Sequence, residues 1–314
     1  MYSSQKTIDW GLVPENMQSK YNLIDKTLEE SYQVCLDWMA EHSKSFYFAS
    51  RFLPTDQRKS VAALYAVCRL SDDIVDEAPE GITIDQINYE LDQLKQTITK
   101  LANGYSSRNP ILRAFGDTLR RHKIPVDYMH ELIEGVRMDL TKNQYYSEEE
   151  LDIYMFRVAS TVGLMMTHIF IKNPAKRTLA RAADLGRAMQ LTNILRDIKE
   201  DFLMGRIYLP EETRNDYEVT IEDLNSDKVN ENLKSLIRYE SERAKAFYRI
   251  ADLGIEELPP AAAYTVKVAS SVYGEILNEI ERRDYQILNQ RAVVSKLRKI
   301  FLAVKVRLNY FRKL

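Results

Sequence analysis

The chain has 314 residues, 45% hydrophobic and 29% charged, which is enough apolar material for one large domain or two small ones. Lysine and arginine total 44 against 46 acids, a formal net charge of −2. That balance lacks the basic excess of a general nucleic-acid binder, so no nucleic-acid partner is expected. The two cysteines, Cys35 and Cys68, form no CxxC pair, which argues against a zinc cluster or disulfide framework and fits a reducing compartment.

Residues 1–20 read as a loose N-terminal arm. Ser3, Ser4, Gln5, Lys6 and Asp9 stand where a signal peptide needs an apolar run. Residues 21–314 read as a single all-α domain. The nine prolines fall between periodic stretches and mark helix boundaries. Helices are expected over 27–42, 55–77, 84–102, 109–121, 126–138, 147–171, 175–203, 229–253, 260–288 and 292–312. The longest apolar run, 162–171, is interrupted by Thr167 and His168 and is too short to cross a bilayer. The expected location is therefore cytoplasmic or peripheral to a membrane.

The helix over 55–77 ends in Asp72-Asp73-Ile74-Val75-Asp76. Asp72 and Asp76 are four apart and share one face, where they repel unless a cation lies between them. Magnesium suits such a pair, because a few carboxylates, water and phosphate oxygens hold it. The plain alternative is a solvated acidic helix end, although acids there oppose the helix dipole. The helix over 175–203 carries Asn193, Asp197 and Asp201 at i, i+4 and i+8, an oxygen-bearing stripe behind a largely apolar run. A charged stripe on a central helix needs a cation or polar cavity to offset desolvation. An exposed, salt-bridged face is the alternative. Two such helices facing each other could hold several magnesium ions around a diphosphate and favour its departure. Arg69 and Arg196 could add positive charge to phosphate oxygens, though arginines beside acids are commonly salt-bridge partners.

The last helix carries Lys296, Arg298, Lys299, Lys305, Arg307, Arg312 and Lys313 and no acid. Leu297, Ile300, Val304, Leu308 and Phe311 form a helical stripe in it. Such a basic amphipathic helix can lie on an anionic membrane surface or close a bundle with a basic outer face.

Five co-linear segments closely resemble the squalene and phytoene synthase family: His42-Ser43-Lys44-Ser45-Phe46, Arg69 to Asp76, YMFRVASTVG from Tyr154, Asn193 to Asp201, and GRIYLP from Gly205. The resemblance runs in order over roughly 30 to 291. It implies a single-domain isoprenoid-synthase helical bundle around a central active-site cavity. It also implies head-to-head condensation of two isoprenoid diphosphates. Asp72, Asp76, Asn193, Asp197 and Asp201 would bind two or three Mg2+ ions, with Mn2+ able to substitute. His42, Ser43, Lys44, Ser45, Tyr65, Arg69, Gln190, Arg196 and Tyr273 would contact the diphosphates or line the cavity mouth. Tyr154 matches a tyrosine near the reacting carbons, so the catalytic set is Tyr154, Tyr65, Arg69 and Arg196. GRIYLP looks like a flap. Ser160 replaces the family's usual glycine and Met155 a common cysteine, which touches the cavity shape.

Among the family's chemistries, the expectation is phytoene synthase: two geranylgeranyl diphosphates joined through a cyclopropylcarbinyl diphosphate, closed by proton loss, without NADPH. No dinucleotide fingerprint occurs, which mildly favours that outcome. Ser50, Ala62, Ala63 and Gly205, which by resemblance border the tail pocket, are all small and admit a longer tail, favouring C20 over C15. The alternatives are a C30 dehydrosqualene or squalene synthase, a terpene cyclase, and a non-catalytic helical assembly factor. The last would be expected to lose the acidic ligands. A ferritin-like di-iron protein needs Glu-x-x-His pairs, and none of His42, His122, His130 or His168 has one.

Overall fold

The structure, a computed structural model, describes residues 12–14 and 27–311. Most of the expected arm over 1–20 lies outside the described residues, as do Arg312, Lys313 and the side chain of Phe311. The chain packs as two compact units, Met1–Ser50 with Pro54–Leu140, and Arg51–Leu53 with Thr141–Leu314. Apart from two three-residue strands and an isolated bridge between Gln144 and Ile207, the regular structure among the described residues is helical.

In the first unit, α1 (Leu28–His42) opens with a capping box. Thr27 Oγ1 accepts the Glu30 N–H at 3.2 Å, and the Glu30 carboxylate accepts the Thr27 N–H at 2.6 Å. Then follow α2 (Lys44–Ser50), α3 (Thr55–Asp76), α4 (Ile84–Ala102), α5 (Pro110–His122) and α6 (Val126–Thr141). Thr83 and Gln86 box the start of α4 in the same way, and Asn109 with Pro110 at the first position starts α5. Helices α1, α3 and α5 pack on one another, and α4 packs on α3 and α5. Strand β1 (Leu12–Pro14) pairs antiparallel with β2 (Tyr105–Ser107). Cys35, Met39, Leu64, Val67, Leu94, Leu112 and Phe115 are wholly buried. A Leu or Phe so buried contributes about 1.5–3 kcal/mol relative to exposure.

The second unit is built around one helix. It comprises α7 (Glu148–Met155), a π-helical turn at Phe156–Ser160, α8 (Thr161–Phe170), α9 (Lys176–Arg196), α10 (Ile198–Leu203), α11 (Glu211–Asp216), α12 (Ile221–Asn225), α13 (Glu231–Ile255), α14 (Pro260–Arg282) and α15 (Lys296–Phe311). Helix α9 packs on the π turn, α8, α13 and α14. The approach is close because glycines stand at the crossings. A Cβ on Gly186 would lie 2.5 Å from Ser160 Cα, and one on Gly163 would lie 2.6 Å from the Ala182 carbonyl oxygen.

Ten helices were expected, and each has a counterpart. The stretch 147–171 contains the π turn, and 175–203 breaks at Asp197, where the backbone turns to φ −109° and ψ 14°. The expected helix over 260–288 stops at Arg282, because Asp284 and Tyr285 adopt positive φ. The short helices α2, α11 and α12 carry too few residues for a periodic pattern to be read. Glu148–Phe170 is long and apolar enough to cross a membrane by composition, but half of that window is buried within the fold, as in a core helix.

Candidate active site

Helix α3 carries the first group of candidate residues. Tyr65, Arg69, Asp72, Asp73 and Asp76 recur at three- and four-residue steps, which puts them along one side of the helix. Arg69 Nε lies 2.6 Å from the Asp73 carboxylate, and Arg69 also bonds Glu77 at 3.3 Å. Its guanidinium is thus committed to Asp73, and Asp72 is left with its acidic neighbours. Burial pushes the Asp72 carboxyl up to about 7; Asp76 adds to the shift, Arg69 pulls against it, and Asp139 on α6 adds again. Asp76 and Asp139 therefore act on Asp72 from its own helix and from a second one, a negative field that favours a cation. Asp139, one of four acids spread along α6 with Asp127, Glu131 and Glu134, carried no motif that sequence reasoning could use.

The turn between α1 and α2 places His42, Ser43, Lys44 and Ser45. His42 Nδ1 lies 2.9 Å from the Trp38 carbonyl oxygen, and its ring stacks on Trp38 at 4.9 Å. Its charge also acts on Asp73, which brings it near the α3 group. Ser43 ends α1 and accepts the Phe46 N–H at 3.3 Å on its hydroxyl, so it ties the two helices together. Lys44 is exposed. The Phe46 and Tyr65 rings lie 6.1 Å apart.

The second group sits where α9 breaks. Asn193 Nδ2 donates weakly to Gln190 Oε1 at 3.5 Å, while Asn193 Oδ1 is buried with no hydrogen-bond partner. One turn on, Asp197 is held by two guanidiniums. Arg196 donates from Nε at 2.7 Å and Nη2 at 2.5 Å, and Arg291 donates from the same two atoms at 2.7 and 2.9 Å. Burial works against the Arg196 charge, and its bonds to Asp197 more than restore it. Tyr273 on α14 belongs to this cluster. Burial pushes its phenol up, Arg196 pulls it down, Asp197 raises it and Arg291 lowers it. Despite the break, the Asp197 N–H still bonds the Asn193 carbonyl at 2.9 Å and the Asp201 N–H bonds the Asp197 carbonyl at 2.8 Å, so the acceptor stripe keeps its spacing. Arg291, in a loop between α14 and α15, was missed because nothing local marks it.

Tyr154 lies in the last turn of α7 and is buried. Its hydroxyl donates to the Tyr208 hydroxyl at 3.2 Å, and its ring stacks on Tyr208 at 5.1 Å, with the Tyr145 ring 5.4 Å away. Tyr208 belongs to the GRIYLP segment, which is fastened to 143–146. The Ile207 N–H bonds the Asn143 carbonyl at 2.8 Å, the Glu211 N–H the Tyr145 carbonyl at 2.9 Å, and the Glu212 N–H the Tyr146 carbonyl at 3.0 Å. Three clustered aromatic faces suit a developing positive charge.

The small residues behave differently from the tail-pocket expectation. Ala62 and Ala63 are wholly buried and Ser50 nearly so, hence they sit in packed core. Gly205 is exposed, with φ +79° and nothing within 4 Å of an added Cβ, so backbone conformation rather than a pocket explains it. Ser160 causes no clash; its hydroxyl donates to the Ala183 carbonyl at 2.7 Å and ties the π turn to α9.

No three His, Cys, Asp or Glu among the described residues form a ready-made metal cage. Magnesium does not need one, since it keeps waters and binds through one or two carboxylates plus phosphate. The donors present fit that mode: an Asp72 carboxyl raised first by burial and then by Asp76 beside it, and a buried amide oxygen on Asn193 without a hydrogen-bond partner.

The squalene/phytoene synthase family model matches residues 39–298. A phytoene synthase of Arthrospira platensis is 35% identical over 286 residues, 87% of this chain and 91% of that one. A 15-cis-phytoene synthase of Synechococcus elongatus is 33% identical over the same shares. Among solved structures, a dehydrosqualene synthase in complex with a ligand matches at TM-score 0.84 and 28% identity, covering 91% of this chain and 98% of that one. A squalene synthase of Alicyclobacillus acidocaldarius matches at 0.75 and 26%, covering 82% and 95%. With its all-α fold and both acidic motifs, the chain belongs to the squalene/phytoene synthase family.

Proposed function

We propose that the protein is a phytoene synthase, a prenyltransferase that condenses two geranylgeranyl diphosphates head to head and works without NADPH. The observation that carries the site assignment is the α9 stripe: an unsatisfied buried amide oxygen on Asn193 one turn before a carboxylate clamped by Arg196 and Arg291. The names of the relatives carry the choice of product.

Asp72, Asp76, Asn193, Asp197 and Asp201 are the residues that would hold two or three Mg2+ ions, with Mn2+ able to substitute. When bound, magnesium supplies the positive charge that a departing diphosphate needs. Ligation by Asp197 requires Arg196 and Arg291 to release at least one of its oxygens. Both guanidiniums then turn their paired donors to phosphate oxygens, where Arg geometry fits best. Tyr273 and Gln190, together with His42, Ser43, Lys44, Ser45, Tyr65 and Arg69, are the residues that would make the polar contacts to the diphosphates. The allylic cation left by the first ionisation is attacked by the C2–C3 double bond of the second substrate, and proton loss closes a cyclopropane. Its diphosphate leaves in turn, the skeleton rearranges, and a second proton loss ends the reaction. The Tyr154 ring, backed by Tyr208 and Tyr145, faces the cationic carbons. The Tyr154–Tyr208 hydroxyl pair relays the proton toward released diphosphate.

The test is incubation with Mg2+ and C15 or C20 diphosphate, each with and without NADPH, followed by product extraction and mass analysis. A C40 hydrocarbon from the C20 substrate without NADPH is the expected result. A C30 product alone would keep the fold and site and replace the product by dehydrosqualene or squalene. No hydrocarbon from either would favour a non-catalytic role.

A further inference from the structure

Helix α15 is packed on one face only. Leu302, Ala303 and Val306 are buried, and the Tyr264 hydroxyl of α14 donates to the Ala303 carbonyl at 3.0 Å. On the other side Leu297, Ile300, Phe301, Val304 and Leu308 are exposed by 81%, 52%, 53%, 51% and 60%. At 3.6 residues per turn these five fall within an arc of about 100°, opposite the buried three. Single exposed apolar side chains are ordinary, but a contiguous stripe marks an interaction site.

The charges around the stripe say what it meets. On the helical wheel Lys296 and Arg307 run along one edge of the apolar arc, and Arg298 and Lys305 along the other. Arg298 also bonds Glu275 at 2.8 Å and lies over the Phe301 ring at 5.1 Å, so its charge is partly compensated. No acid follows Asp284 in the sequence. A second copy of this face would set Lys296, Lys305 and Arg307 against their own kind. An anionic lipid surface satisfies both features at once, with acyl chains under the apolar arc and headgroup phosphates at both basic edges.

We propose that α15 is an in-plane anchor for anionic membranes, inserting Leu297, Phe301, Val304 and Leu308 into the headgroup–acyl boundary. The buried face keeps the helix attached to α14 while the outer face meets lipid. This anchor does not depend on the catalytic reading, although a hydrocarbon product would gain from release at a bilayer.

The test is flotation of the full chain with vesicles of phosphatidylcholine alone or containing phosphatidylglycerol. Binding is expected with phosphatidylglycerol, weakening as salt is raised. The double change Phe301→Asp with Val304→Asp is expected to reduce binding on the order of tenfold or more. Because both side chains are exposed, far-UV circular dichroism and the unfolding midpoint stay as in the parent. Lys296→Glu with Lys305→Glu is expected to abolish the preference for the anionic lipid while leaving the fold intact. Parent protein that fails to float with phosphatidylglycerol vesicles would overturn the proposal. So would aspartate variants that bind like the parent, or sedimentation showing a parent dimer that the aspartate variants convert to monomer.

Discussion

Replacing Gly186 by alanine tests whether backbone contact between α9 and the π turn holds the second unit together. An added Cβ would lie 2.5 Å from Ser160 Cα, 2.6 Å from the Ala159 carbonyl oxygen and 2.6 Å from the Ser160 nitrogen. Ordinary contact starts at 3.4 Å, so almost an ångström of clearance is missing, and no obstructing atom belongs to a side chain that could swing aside. Overpacking of this kind costs about 1–3 kcal/mol, and more when the backbone must move. Alanine's better helix propensity returns about 1 kcal/mol. The net expectation is destabilisation of up to about 2 kcal/mol, more if the backbone must move. Gly274 on α14 provides the control, since its nearest neighbour to an added Cβ is Tyr248 Cε2 at 3.9 Å. The same change there keeps the propensity gain and stabilises by up to about 1 kcal/mol. Urea titrations should move the two midpoints in opposite directions with the slope unchanged. A Gly186→Ala midpoint at or above the parent's would refute the contact argument.

Asp72→Ala and Asp197→Ala should each reduce turnover at least a hundredfold at saturating Mg2+, measured by hydrocarbon formation; normal turnover in either would make the ligand assignment wrong. Arg291→Lys keeps the charge but loses the paired donors to Asp197, and hydrogen bonds to charged groups contribute about 1.5–3 kcal/mol. Its kcat/KM should fall roughly ten- to hundredfold, and an unchanged value would remove Arg291 from the site. Glu240 is wholly buried beside Arg243; burial raises its carboxyl to about 7, with Arg243 opposing and Glu148 adding. The folded chain therefore holds this proton longer than the unfolded one, so stability falls as pH rises from about 4.5 to about 7 and levels off above that. At 1.36 kcal/mol per unit the ceiling is about 3 kcal/mol. Glu240→Gln should flatten that stretch of the stability–pH curve in denaturant titrations, and an unaltered slope would assign the effect elsewhere.

The parts of the molecule legible in the sequence are those fixed by local spacing. Helical periodicity between prolines locates ten helices, and the four-residue spacing of Asp72 with Asp76, and of Asn193, Asp197 and Asp201, puts these residues on shared faces. What escaped depends on distant residues. Arg291 reaches Asp197 across 94 positions, and Tyr208 reaches Tyr154 across 54, and no periodic pattern encodes either meeting. Asp139 acts on Asp72 from another helix for the same reason. Ser160 shows the converse. In sequence it is an added side chain at a close crossing; in the fold its hydroxyl finds the Ala183 carbonyl, while the glycine that the crossing needs is Gly186 on the partner helix.

The break in α9 at Asp197 explains how one helix can be both core and site. Upstream, Gly186 presses on the π turn, and Ala188, Leu191 and Leu195 are wholly buried, so that half cannot shift without opening the core. At Asp197 the backbone leaves helical geometry, yet the hydrogen bonds from Asn193 to Asp197 to Asp201 continue on the acceptor face. The carbonyls on that side stay satisfied while the chain turns, and the three oxygen-bearing side chains keep their order. Asp197 is therefore held by covalent continuity with a rigid helix and by four charge-assisted hydrogen bonds from Arg196 and Arg291. Those bonds compensate a carboxylate that is only 15% exposed. On the proposed reading a phosphate group would take over both guanidiniums and a divalent cation the carboxylate, an exchange that asks only side chains to turn, since the α9 backbone hydrogen bonds stay in place.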